Sequence, residues 1–97
     1  MLTIPEIQAA VTKVGKKYGI KSAYLFGSYA KNTANEKSDV DLYVDSGLRG
    51  LKFVGFVESI KESLNNKDID VIDKEYVTPH SAIVNEIKNT GILLYAR

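Results

Sequence analysis

Cysteine is missing from the chain, which excludes disulfides and thiolate metal sites and makes a reducing compartment the expectation. An excess of either charge is missing too. Thirteen Lys and Arg against twelve Asp and Glu leave a formal net charge of +1, so stable nucleic-acid binding along a broad basic face is not expected. No apolar run approaches bilayer length, and the N-terminus has no charged-then-apolar signal pattern. The chain is therefore read as cytoplasmic, with no membrane partner. Repeats, linkers and low-complexity segments are also lacking. What is present is ordinary: 97 residues, 44% hydrophobic and 26% charged, enough for one domain spanning 1–97 with a single core. A separate substrate-binding domain would not fit.

Apolar spacing divides the chain into alternating helices and strands. Thr3 and Glu6 have capping-box spacing, and Ile4, Ile7, Val11, Val14 and Tyr18 mark one buried stripe of a helix ending near Gly19. Ser22 to Phe26 reads as a buried strand. A short helix with Ser28 as its cap follows, ending at Asn32, a residue that tolerates the left-handed conformation. After a polar loop, Val40 to Val44 reads as the second strand. Leu51, Val54, Val57, Ile60 and Leu64 mark the stripe of the next helix, broadened by Phe53 and Phe56 so that part of it is expected to be exposed or to meet a partner. Asp68 to Ile72 reads as a third strand, Thr78-Pro79 as the start of a last helix, and Ile92 to Tyr95 as a closing strand. The expected architecture is α/β: a mixed sheet of about four strands, helices mainly on one face, the other open at its carboxylates.

The chemistry concentrates between Gly27 and Leu42. Asp39 and Asp41 lie two residues apart at the start of a strand, so they project to the same side. Like charges that close call for a cation between them, and hard carboxylate oxygens suit magnesium. Upstream, Gly27 lets the backbone come close to a phosphate and Ser28 offers a hydroxyl, at a turn into a helix. Asp70, between Ile69 and Val71, is the third carboxylate, placed on a neighbouring strand to deprotonate an acceptor. Asp68 and Asp73 read as solvated strand-end residues.

Gly27-Ser28-Tyr29-Ala30-Lys31-Asn32, then Ser38-Asp39-Val40-Asp41-Leu42, then Asp70, resembles the signature of the DNA polymerase beta-type nucleotidyltransferases. It is most similar to the minimal nucleotidyltransferases, small bacterial and archaeal proteins. The resemblance covers nearly the whole chain, and its two halves together are specific. It implies the palm-like nucleotidyltransferase fold, with Gly27, Ser28, Lys31 and Ser38 at the nucleotide and Asp39, Asp41 and Asp70 as catalytic metal ligands. The implied donor is ATP with Mg2+. The implied role is that of an antitoxin adenylylating a tyrosine on a HEPN-type toxin partner. Lys31 stands where the family often has arginine, keeping the charge but losing the bidentate fork, and Asn32 stands where it usually has glycine.

Two other functions remain open at this level. One is nucleotide transfer to a small molecule, as in aminoglycoside-modifying relatives, with a homo-oligomer interface forming the acceptor pocket. The other is a non-catalytic nucleotide-binding module that neutralises its partner by contact. The residues also have plainer readings: Asp39 and Asp41 as a solvated strand edge, Asp70 as a surface carboxylate, Lys31 as a solvated lysine. His80 reads as a surface or capping residue, and Tyr29, Tyr43, Phe53 and Phe56 as core.

Overall fold

The computed structural model describes residues 1–97. In chain order the elements are α1 (Ile4–Tyr18), β1 (Ser22–Phe26), α2 (Gly27–Ala30), β2 (Val40–Asp45), α3 (Leu51–Ser63), β3 (Ile69–Asp73), a 3-10 turn (Lys74–Tyr76), α4 (Ala82–Thr90) and β4 (Ile92–Ala96). α1 begins in the expected capping box: the Thr3 hydroxyl accepts from the Glu6 N–H at 3.2 Å, and Glu6 Oε1 accepts from the Thr3 N–H at 3.0 Å. It ends at Gly19 in the left-handed conformation. No helix is long and apolar enough to cross a membrane.

The strands form one mixed sheet in the order β3-β2-β1-β4, with β2 parallel to β3 and β1 antiparallel to both β2 and β4. Alternation along β2 sorts its side chains. Val40, Leu42 and Val44 are buried, and with Ala23, Leu25 and Leu94 they meet Ile7, Val11 and Val14 of α1 and Phe56 and Ile60 of α3 in one core. Asp41, Tyr43 and Asp45 point to the opposite face and are half-buried. α4 packs against β1 and carries Glu86 to that second side.

The buried stripe of α3 differs from the expected one. Leu51 is 88% exposed and Val54 54% exposed, whereas Phe56, Ile60 and Leu64 are buried and Phe53 packs beside them. The helix is turned toward its aromatic side by α1: the Tyr18 ring meets Phe56 edge-on at a centroid distance of 5.7 Å, and the Tyr18 hydroxyl lies 3.3 Å from Ser59 Oγ. Gly55 makes room, since a Cβ there would stand 3.1 Å from that hydroxyl.

Two further expectations are corrected. Thr78 does not cap α4. The segment from Thr78 to Ser81 closes a turn of its own, with the Ser81 N–H donating to the Thr78 carbonyl at 3.1 Å, and Ser81 becomes the cap, accepting from the Val84 N–H at 3.3 Å. His80 is exposed in that turn, outside the helix. Nor is Asp73 solvated; it is 5% exposed, because the parallel register sets it beside Val44 on the core side. Its carboxylate accepts from the Ser46 hydroxyl and, at 3.0 Å, from the Glu75 N–H. Asp73→Ala strips the acceptor from both donors and is expected to lower stability by roughly 2–3 kcal/mol. A urea midpoint that moves down with an unchanged slope checks this; an unmoved midpoint refutes it.

Candidate active site

The site starts at the end of β1, where Gly27 takes φ +74, a value that L side chains rarely adopt. That turn starts α2 one residue earlier than expected. Ser28 is therefore not the cap but lies inside the helix, and Phe26, the cap residue, supplies no side-chain bond. A helix of four residues has little stability of its own. It is held by Tyr29, 5% exposed in the core, and by the Thr33 N–H, which donates to the Ser28 carbonyl at 2.9 Å. Asn32 takes φ +61, the expected left-handed exit.

The carboxylates line up through strand register. Phe26 pairs with Asp41 across β1 and β2, and Asp41 pairs with Asp70 across β2 and β3. Asp41 and Asp70 thus share the open face in one cross-strand row, with Gly27 next in the chain after Phe26. Asp41 is half-buried, Asp70 is exposed, and Asp39 is exposed just ahead of β2. Burial, first of all, and then the charges of Asp70, Asp39 and Glu86 hold the Asp41 carboxyl above the usual carboxylate range. The neighbouring charges act on Asp41, yet no three acidic side chains close on a common point at metal-ligand distance. Asp68, by contrast, has a 79% exposed side chain that pairs with Lys61 at 3.7 Å. It is the solvated end residue that its position suggested.

The remaining candidates are occupied by protein partners. Ser38 Oγ accepts from the Asn35 N–H at 3.0 Å and so shapes the loop before β2. Lys31 Nζ lies 3.3 Å from Glu86 Oε2, and the same carboxylate oxygen accepts from the Gly27 N–H at 3.0 Å. Sequence reasoning does not single out Glu86. It lies between Ile83 and Ile87 on a short helix, and nothing local marks a residue that meets Gly27 only through the tertiary fold.

Carboxylates beside a glycine-serine turn have the chemistry to hold a metal-bound phosphate. Residues 9–97 match the polymerase beta nucleotidyltransferase family. The chain belongs to that family. Among other nucleotidyltransferases, a Methanocaldococcus jannaschii protein that carries the name of a protein adenylyltransferase is 32% identical over 93 residues, 94% of this chain and 97% of the relative. The protein adenylyltransferase MntA of Thermococcus cleftensis is 39% identical over 49 residues, 46% of this chain and 50% of the relative. A chain in a crystal structure of a toxin-antitoxin with AMP-PNP superposes with a TM-score of 0.76 at 20% identity, covering 93% of this chain and 73% of that one. A chain in the structure of the tri-AMPylated Shewanella oneidensis HEPN toxin with its MNT antitoxin gives 0.71 at 17% identity, covering 98% and 74%. These superpositions establish the nucleotidyltransferase fold.

Proposed function

We propose that this nucleotidyltransferase is a magnesium-dependent protein adenylyltransferase that transfers AMP from ATP to a tyrosine hydroxyl of a HEPN-type toxin and so acts as its antitoxin. The observation that carries the reading is the cross-strand row of Asp70 and Asp41 leading to Gly27. The relatives named as protein adenylyltransferases, the AMP-PNP in one similar structure and the AMPylated toxin in another support it. In the reaction the acceptor oxygen bonds to the α-phosphorus, the bond from that phosphorus to the bridging oxygen breaks, and pyrophosphate leaves. The hydroxyl proton goes to Asp70, which is exposed and free to meet an incoming acceptor.

The donor set fits magnesium. Asp39 and Asp41 are hard oxygen ligands, and the Asp41 carboxyl, raised first by burial and then by the charges of Asp70, Asp39 and Glu86, stands among acids whose charge a cation between them would offset. Bound magnesium would neutralise the phosphate oxygens and the leaving pyrophosphate. Gly27 and Ser28 would bind the triphosphate through a backbone N–H and a hydroxyl, Lys31 through its charge, and Ser38 would border the nucleotide from the loop before Asp39. On this reading the acceptor hydroxyl is the one that the toxin partner presents.

Incubation of the chain with a purified HEPN toxin partner, labelled ATP and magnesium is expected to add AMP units to the toxin, to stop in EDTA and to silence the toxin's ribonuclease. Silencing that persists undiminished with Asp39→Ala, and without any mass gain, would instead favour neutralisation by contact. Label passing to a small molecule with no protein partner present would favour the aminoglycoside-type reaction.

A further inference from the structure

We infer that Glu86 is a displaceable latch: its carboxylate stands where a triphosphate oxygen has to bind, and nucleotide enters by expelling it. The inference rests on the nucleotide site proposed above. One oxygen, Glu86 Oε2, accepts from the Gly27 N–H at 3.0 Å and pairs with Lys31 Nζ at 3.3 Å. A backbone amide at a glycine turn and a lysine ammonium are the partners that a phosphate oxygen uses. The same carboxylate adds to the negative field on Asp41, and the Gly27 N–H and Lys31 ammonium are the two donors that offset this. Its side chain is 31% exposed and within reach of an incoming anion.

α4 can yield. None of its residues is fully buried, and Glu86 is the only one of its side chains bonded or ion-paired to another element. A triphosphate presents more negative charge to Gly27 and Lys31 than a single carboxylate does, and it brings its own cation to the neighbouring acids. Exchange of one anion for the other therefore releases Glu86 and loosens α4 from β1. Nucleotide affinity then carries the cost of breaking the Glu86 contacts, and removing Glu86 removes that cost.

The test is calorimetric titration of the full chain with AMP-PNP and magnesium, on the wild type, Glu86→Gln and Glu86→Ala. Both variants are expected to bind roughly three- to tenfold tighter, the alanine more so, as fits a charge-assisted contact that is partly exposed. Alanine is a good helix residue, so α4 persists in that variant. Hydrogen exchange gives a second readout: nucleotide accelerates exchange in α4 of the wild type, whereas in Glu86→Ala α4 exchanges fast already. Unchanged or weaker binding by the variants, with the wild type still binding, overturns the latch alone and points to a structural or metal-holding carboxylate. Wild type and variants all failing to bind nucleotide overturns the site and the latch together.

Discussion

Asp41→Asn is expected to cut AMP transfer by roughly 10³-fold or more, the scale on which losing a charge-stabilising group acts, while raising the melting temperature of the nucleotide-free protein by a few degrees. The two effects have one origin. Burial and the surrounding acids hold the Asp41 carboxyl above its ordinary range, so the folded protein resists its ionisation more than the unfolded chain does. That cost is present in full above the raised value, and it fades as pH falls through that value toward the unfolded one. Asparagine keeps the shape and drops the charge. Melting curves in EDTA from neutral to acidic pH check the sign: the gap between variant and wild type is wide at neutral pH and closes on acidification. Magnesium is expected to stabilise the wild type by mass action and to do little for the variant. A variant that melts lower than the wild type at neutral pH would contradict this account of Asp41.

Gly27→Ala carries the second large effect, for two reasons that can be separated. The residue sits at φ +74, and an added Cβ would overlap Asp41 Oδ2 and stand 3.1 Å from its Cγ. Backbone strain is expected to cost about 1–3 kcal/mol. The collision pushes aside a carboxylate proposed above to hold the metal, and a misplacement of that kind is expected to cost roughly 10²-fold in rate. Gly19→Ala is the control, since Gly19 has a similar φ of +71 but nothing within 4 Å of the added atom. It is expected to lose stability of about the same order through strain and to keep its transfer rate. Equal rates in the two variants would remove the close approach of Gly27 to Asp41 from the explanation of the site.

The features legible in the sequence are the ones set by neighbours along the chain. The Thr3–Glu6 box, the Gly19 stop, the left-handed Asn32 and the two-residue spacing of Asp39 and Asp41 are each decided within a few residues. Asp70 is singled out as a charge inside an apolar run, but the structure leaves it exposed rather than buried, and it is strand register that sets it beside Asp41. What could not be read depends on packing between distant segments. α3 carries apolar residues around much of its circumference, and Tyr18 of α1 decides that Phe56 rather than Val54 turns inward. Asp73 looks like a strand-end carboxylate until register places it beside Val44 and Ser46 reaches it. Glu86 is the same kind of case at the site, since only the fold brings α4 to Gly27.

The sheet order has a mechanical corollary. β3 is an outermost strand, hydrogen-bonded along β2 and along nothing else in the sheet, so Asp70 rides on a member supported from one flank. The other end of that strand is pegged by Asp73, gripped by Ser46 and continued into the turn at Glu75. How far the Asp70 carboxylate sways is thus governed by an anchor three residues away on the opposite face, and slack in that anchor would blur the aim proposed for it well before the domain itself came apart.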